Sequence, residues 1–445
     1  MNTRRVLAVH DISCVGRCSL TVALPIISSV GLECSVLPTA VLSTQTGGFT
    51  GYTYRDLTED IVPIEEHWGS LGLGFRAIYT GFLGSFEQID LMKDLISRFP
   101  GATVYVDPVM ADTCGFYPLF GPDFPAAMRT LCAMADVIKP NMTELCMMLG
   151  TEYREGPYTR EYISDMLEKA RSIGARRIIV TGVSYRKGEV GAAYMDYETG
   201  ETGEVMRPEV PGFYHGTGDV FGSALVGACE SGLPLGEAVE CAVDLTVGSI
   251  NRTHASGADL KYGVDFEPGL TDYAMAVRSR GPPRLVKVET DDQIRVVESL
   301  ALAIWPDTFR GMEPDEHIEY FVKTFQSFGA VSDYIRDKGF TYWLLQCDGK
   351  SVGYVAYAPE GDCLKLSKFY LLKEYRGRGL SHIMMERALQ AARELGLPRI
   401  RLETNRRNTA SIEVYKAYGF AIVREVDRDL GGGHIYHDFV LEKVL

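Results

Sequence analysis

Several absences narrow the possibilities before any motif is considered. The chain opens without a charged-then-apolar leader and cleavage site, and no apolar run is long enough to span a bilayer, so a cytoplasmic protein with no membrane partner is expected. Its ten cysteines show no metal-type clustering: Cys14 and Cys18 lack a second pair or matching histidines, and the eight histidines contain no H-E-x-x-H array. They read as reduced, packed thiols, which excludes a disulfide scaffold. An excess of basic residues is also missing. With 45 lysines and arginines against 59 aspartates and glutamates the formal charge is −14, which argues against nonspecific nucleic-acid binding. Neither a solenoid-like period nor a low-complexity tract is present.

What is there is 445 residues, too long for one ordinary core. The short, basic, proline-bearing stretch Arg278-Ser279-Arg280-Gly281-Pro282-Pro283-Arg284 reads as a connector between domains at 1–277 and 285–445. In the first half, strand-like residues 5–10 precede a helical pattern at 20–30, and a further strand is expected at 177–181. Such alternation predicts an α/β domain whose mostly parallel sheet is covered on both faces. Turns at Gly188 and Gly200 bracket residues 190–196 and, with 204–207, predict a hairpin.

The segment Tyr214-His215-Gly216-Thr217-Gly218-Asp219-Val220-Phe221-Gly222 delivers a carboxylate to the point where a helix begins. Phe221, Leu225 and Ala228 or Cys229 recur at helical spacing. Unpaired backbone N–H groups and the positive end of the helix dipole can hold a phosphate there, with Asp219 as the base that deprotonates an attacking alcohol. An ordinary capped helix start would use the same residues. Two further strand ends carry carboxylates. Residues 104–106 run into Asp107-Pro108-Val109-Met110-Ala111-Asp112, and residues 135–138 lead through Lys139-Pro140 to Asn141-Met142-Thr143-Glu144. Glu144 could hold Mg²⁺ directly or through water, or could serve only as the partner in a capping box.

In this order, these segments, with Val6-Leu7-Ala8-Val9-His10 and Leu42-Ser43-Thr44-Gln45-Thr46-Gly47, resemble the ribokinase-like small-molecule kinases, and among them the pyridoxal and pyridoxamine kinases, over about residues 1–270. The resemblance implies a three-layer α/β/α fold, Mg-ATP as phosphoryl donor and a B6 vitamer as substrate. It implies that Asp219 is the base and that the N–H groups of Gly216, Thr217, Gly218 and Asp219 form the anion hole. Asp112, Asn141 and Glu144 would lie on the Mg-ATP side, Thr181 and Gly182 would touch nucleotide, and Thr46 would touch the pyridine. A homodimer through this half is a further implication. One position departs from the family pattern: Asp11 stands where a substrate-contacting serine is usual. A carboxylate there favours a substrate with a protonated amine or pyridine nitrogen, or else caps a turn. The related hydroxymethylpyrimidine kinases share most of this machinery.

Beyond the connector, an alternating stretch at 366–371 runs into Glu374-Tyr375-Arg376-Gly377-Arg378-Gly379-Leu380-Ser381 and an amphipathic helix whose apolar face is Leu380, Ile383, Met384, Ala388, Ala391 and Leu395. Together with Asn405-Arg406-Arg407-Asn408-Thr409-Ala410-Ser411-Ile412-Glu413-Val414-Tyr415, this resembles the GNAT acetyl-CoA-dependent N-acetyltransferases over about residues 285–445. The resemblance implies a mixed sheet. It implies that Arg376, Gly377, Arg378, Gly379, Leu380 and Ser381 bind the pyrophosphate of acetyl-CoA, that Asn408 contacts the cofactor arm and that Tyr415 protonates the departing thiolate. Glu403 is the candidate relay for the acceptor's proton, and Trp305, Phe309 and Glu316 lie where acceptor specificity is commonly built. Asp348-Gly349 between residues 342–347 and 352–357 signals a hairpin. The whole reads as a bifunctional enzyme acting on a B6 vitamer and on an unidentified amine. Its rival is a vitamer-binding sensor that regulates the acetyltransferase.

Overall fold

The computed structural model describes residues 4–112, 115–117, 119–347, 349–429, 431 and 435–445. The chain divides into two compact units, Met1–Arg280 and Gly281–Leu445. The expected connector narrows accordingly. Arg278 to Arg280 complete the helix Leu270–Arg280 and Arg284 opens a strand, leaving Gly281-Pro282-Pro283 between. Proline supplies no N–H and disfavours helical backbone before it, so the helix stops where the glycine begins.

In the first unit the strands are β1 (Arg5–Ser13), β2 (Glu33–Leu42), β3 (Tyr54–Asp56), β4 (Ala77–Thr80), β5 (Thr103–Val106), β6 (Ala111–Asp112), β7 (Gly115–Phe116), β8 (Val137–Ile138), β9 (Arg177–Val183), β10 (Glu189–Asp196) and β11 (Thr202–Pro208). Nine of them form one sheet in the order β11-β10-β9-β8-β5-β4-β1-β2-β3; β6 and β7 pair separately. From β2 to β9 the neighbours are parallel, and the edges β3, β10 and β11 are antiparallel.

Alternation along each central strand feeds two cores. Leu7 and Val9 join one apolar cluster, Val6 and Ala8 the other, and Ile178 and Val180 are separated from Ile179 in the same way. Successive side chains point to opposite faces of a sheet, so a strand apolar throughout must be covered on both. The helices Leu20–Ser29, Thr217–Glu230, Leu235–Ser256 and Leu270–Arg280 cover one face, and Thr58–Ser70, Phe86–Arg98, Phe124–Cys132, Met142–Leu149 and Arg160–Ala170 the other. The C-terminal ends of the parallel strands therefore open along one edge, where α/β sheets place their ligands.

The second unit carries β12 (Arg284–Lys287), β13 (Thr341–Cys347), β14 (Lys350–Glu360), β15 (Cys363–Leu371), β16 (Arg399–Asn405), β17 (Ala421–Asp429) and β18 (Ile435–Val444), in the sheet order β12-β13-β14-β15-β16-β18-β17. Only β15 and β16 are parallel, and their ladder stops at Leu366 opposite Leu402. Past that point the two strands are no longer hydrogen-bonded to each other, which opens a cleft between Ser367–Leu371 and Glu403–Asn405. Asp348 of the expected hairpin turn lies outside the described residues, and the flanking strands pair with Cys347 opposite Lys350. On the helix Leu380–Glu394 the expected apolar face is buried at Leu380, Met384, Ala388 and Ala391. Leu395 is a correction: it falls just past the helix end and is 55 % exposed.

Candidate active sites

Asp219 is placed by a glycine. Gly216 precedes the helix Thr217–Glu230 with φ +76°, and a Cβ there would stand 2.1 Å from the carbonyl oxygen of Arg17. Only glycine accepts both the left-handed backbone and the contact. The helix then begins with unpaired N–H groups at the edge of a cavity of about 580 Å³, with Asp219 in its first turn. Asp11, Thr46, Asp112, Asn141, Glu144, Thr181, Gly182, Gly216, Thr217, Gly218 and Asp219 all line this one cavity. Positions 208 residues apart in sequence are thus drawn together by the shared sheet edge.

Burial, with the negative charges of Asp107 and Asp11, pushes the Asp219 carboxyl up to about 7, against the opposing effects of a Ser19 backbone N–H and Lys139. His10 Nδ1 lies 3.9 Å away in a fully buried ring that packs edge-on against Tyr79. Burial, and secondarily Lys139, lowers its pKa to about 3, so it is a neutral neighbour and not an ion-pair partner.

Asp11 sits at a register shift of β1 between His10 and Ile12, and its two oxygens accept from Ser19 Oγ at 2.6 Å and Ser13 Oγ at 3.1 Å. Burial nevertheless raises its pKa. The carboxylate thus both braces the turn and lines the cavity. Thr46 is carried by a loop held from two sides. Gln45 donates to the Lys261 carbonyl, and Gly47 packs so closely on His215 that a Cβ would come 2.6 Å from its ring.

Glu144 forms the capping box in full: Asn141 Oδ1 accepts the Glu144 N–H and Glu144 Oε2 accepts the Asn141 N–H, each at 2.9 Å, while Oε1 accepts the Met110 N–H at 3.2 Å. Burial and then Asp107 push its pKa up to about 8 despite Lys139 and those N–H groups. Both of its oxygens are engaged, which favours contact with a cation through water over direct ligation. Among the described residues no three His, Cys, Asp or Glu side chains converge as a ready cation cage.

In the second unit a cavity of about 640 Å³ occupies the cleft between β15 and β16. Arg376, Gly377, Leu380, Ser381, Asn408, Tyr415, Trp305, Phe309 and Glu403 line it. Gly377 and Gly379 have φ +77° and +74°, and Gly379 starts the helix Leu380–Glu394 in left-handed backbone. Arg376 is tied back by bonds to the Leu371 carbonyl and Thr308 Oγ1, both 2.9 Å. Arg378 and Gly379 fall outside the lining, with the Arg378 guanidinium 4.9 Å from the Tyr375 ring centroid.

Asn408 caps the helix Thr409–Ala417 through the Ser411 N–H, and Tyr415 on that helix is buried, which raises its phenol above the usual range. One expectation needs correction: Glu316, on the helix Asp315–Phe325, is absent from the lining. Glu403 lines the cavity and is bonded by the Arg428 guanidinium.

Comparison with known proteins agrees with this geometry. The sequence profile described as phosphomethylpyrimidine kinase matches residues 26–263, more than half of the chain. The chain belongs to that family. A pyridoxine/pyridoxal/pyridoxamine kinase from Bordetella pertussis is 27 % identical over 270 residues, 57 % of this chain and 90 % of its own length. A crystal structure from Bacteroides thetaiotaomicron, provisionally described as a phosphomethylpyrimidine kinase and containing pyridoxal, is 34 % identical with a TM-score of 0.58, covering 61 % of this chain and 96 % of that one. The GNAT acetyltransferase profile matches residues 299–420, and an uncharacterised N-acetyltransferase of Mycobacterium bovis is 31 % identical over 131 residues, 29 % of this chain and 83 % of its own length. The first unit is thus a ribokinase-like kinase domain with pyridoxal kinase homologues, and the second a GNAT acetyltransferase domain.

Sequence reasoning placed Lys139 and Asp107 in the kinase motifs but gave neither a role. Lys139 Nζ lies 2.8 Å from Asp107 Oδ2 and 3.4 Å from the Gly218 carbonyl oxygen. Burial alone would lower its pKa, but Asp107, then Glu144 and Asp219, outweigh burial and raise it. A lysine directly after the apolar pair Val137-Ile138, with an aspartate after β5, was the available signal.

Proposed function

We propose that the kinase domain phosphorylates the hydroxymethyl group of pyridoxal, pyridoxamine or pyridoxine with ATP. The observation that carries this reading is Asp219, a carboxylate poised near neutrality beside the N–H groups that open its helix. Asp219 takes the hydroxymethyl proton as that oxygen attacks the terminal phosphorus of ATP. The bond from phosphorus to the ADP oxygen breaks, and the N–H groups from Gly216 to Asp219 with the Lys139 ammonium absorb the transferring charge. Asp112 and Glu144 supply oxygens for hydrated Mg²⁺, which offsets phosphate charge when bound. Thr181 and Gly182 support the nucleotide, and Asp11 with Thr46 supports the ring. Release of ADP on adding pyridoxal tests the reading, and its absence would leave a vitamer sensor. Because the matching family profile is named for the pyrimidine, hydroxymethylpyrimidine is the second substrate to be tried.

For the GNAT domain we propose acetyl transfer from acetyl-CoA to a primary amine. Backbone from Arg376 to Ser381 opens a helix suited to the pyrophosphate, and Asn408 stands by the pantetheine arm. The amine lone pair attacks the thioester carbon, the carbon–sulfur bond breaks, the sulfur takes the Tyr415 proton, and the proton that the nitrogen then sheds restores the Tyr415 phenol. The acceptor must arrive as a free amine. Asp438 faces the same cavity, where burial followed by Glu403 pushes its pKa up to about 6 against Arg428 and Arg406, and in this reading it is the group that takes the ammonium proton. Formation of free thiol with a primary amine present is the test.

A further inference from the structure

The GNAT cavity holds a buried cationic side chain, Lys368, that takes no part in the transfer steps. Lys368 lies on β15 directly after a register shift: Ala356 pairs with Lys368 but Tyr357 with Leu366, which leaves Ser367 as an extra residue. A bulge re-aims the neighbouring side chains of its strand. Leu366 therefore packs with the core under the helix Leu380–Glu394, whereas the Lys368 ammonium stands 5.4 Å and 5.5 Å from the ring centroids of Phe321 and Tyr334 on the opposite face.

Lys368 is only 5 % exposed, and among the described residues no carboxylate pairs with it. Burial, and then the like charge of Lys365, pushes its pKa down to about 7. An ammonium taken out of water without a counter-ion is costly, and an incoming anion relieves that cost.

The cavity is aromatic at this end, and elsewhere it carries the carboxylates Glu403 and Asp438 among the cations Lys365, Arg376, Arg401 and Arg428. Trp305 stacks on Phe321 with centroids 4.1 Å apart and lies 5.3 Å from Tyr370, and all three rings line the space that Lys368 faces. Asp438, on β18, lines the same cavity. A molecule spanning these features has a flat apolar body, an anionic group and an amine.

We propose that Lys368 is a specificity residue which holds an anionic group of the acetyl acceptor, so that the acceptor class is an aromatic primary amine carrying a carboxylate or a phosphate. The proposal rests on the acetyltransferase reading of this cavity. Aromatic α-amino acids and phosphorylated aminomethylpyridines both meet the description, the latter being what the kinase domain makes when its vitamer is pyridoxamine.

The experiment compares matched acceptors on the full chain with acetyl-CoA and no ATP: tyrosine against tyramine, phenylalanine against phenethylamine, and pyridoxamine 5′-phosphate against pyridoxamine, with acetylated product read by mass spectrometry. At least one anionic member should exceed its neutral partner by about 10-fold or more in kcat/KM. Lys368→Met should erase that preference through KM with kcat nearly unchanged, and Lys368→Arg should keep part of it. The wild-type comparison stands even if a variant fails to fold. Equal use of the paired acceptors would overturn the proposal, as would acetylation of none of them by protein that binds acetyl-CoA in calorimetry. A kcat loss in Lys368→Met shared by charged and neutral acceptors would also overturn it, because the lysine would then act on the amine. Failure to bind acetyl-CoA at all would instead remove the acetyltransferase reading, and the proposal with it.

Discussion

Lys139 holds its ammonium 2.8 Å from the Asp107 carboxylate at the C-terminal ends of the neighbouring strands β8 and β5, with both side chains buried at the cavity wall. The same ammonium reaches the Gly218 carbonyl, so one buried charge ties the sheet to the helix that carries Asp219. Removing one member of such a pair strands the other without hydration. Lys139→Met should destabilise the kinase domain by roughly 3–5 kcal/mol in urea denaturation. The double variant Lys139→Met/Asp107→Asn should regain much of that stability yet remain inactive. A double variant no more stable than the single would show that the pair is not the cause.

Asp219→Asn should lower phosphorylation by about 10²–10⁴-fold with ATP affinity nearly intact. In the wild type, activity should rise with pH through about 7 as the carboxyl ionises. Stability moves the other way. The folded pKa lies above the unfolded value, so the unfolded chain releases this proton first, and stability falls between about pH 4 and 7. The asparagine variant should therefore melt higher than wild type at pH 8, with the difference shrinking below pH 4. Identical melting profiles across that range would refute the buried, raised carboxyl.

Gly216→Ala probes placement without touching a charge. A Cβ 2.1 Å from the Arg17 carbonyl oxygen, on a residue with φ +76°, must shift the start of the helix. Loss of roughly 1–3 kcal/mol is expected from the backbone strain, and the fall in kcat should be larger than that loss alone explains. Melting and ADP release on the same preparation separate the two. Full activity in a destabilised protein would mean that the loop does not set the geometry of transfer.

Tyr415→Phe should reduce acetyl transfer by about 10²-fold while acetyl-CoA binding changes little. Burial keeps the wild-type phenol protonated beyond the usual tyrosine range, so no fall in rate attributable to it should appear up to about pH 10. A rate unchanged by the substitution would reduce Tyr415 to packing against Phe369 and Phe420.

Much of both sites was legible because their parts are local. Gly216 to Asp219 and Arg376 to Ser381 each bring a turn and a helix start in consecutive residues, and Asn141 with Glu144 spells out its capping box over three positions. Glu403 shows the opposite case. Its ion-pair partner is Arg428, 25 residues away on a strand not paired with its own, and no spacing within β16 could reveal that partner. Lys368 was hidden for a related reason: alternation along β15 places it on the face of Leu366, and only the extra residue Ser367 turns it to the other.

By itself the sequence determined the two domains, the strand and helix patterns and the glycine turns that open a helix at each cavity, since periodicity, glycine placement and helix capping act over a few residues. Tertiary structure decided which charges meet. Asp11, Asp107, Lys139, Glu144 and Asp219 acquire their protonation behaviour from burial and from one another, and those depend on distances that exist only once separate strands end along the same edge of a sheet.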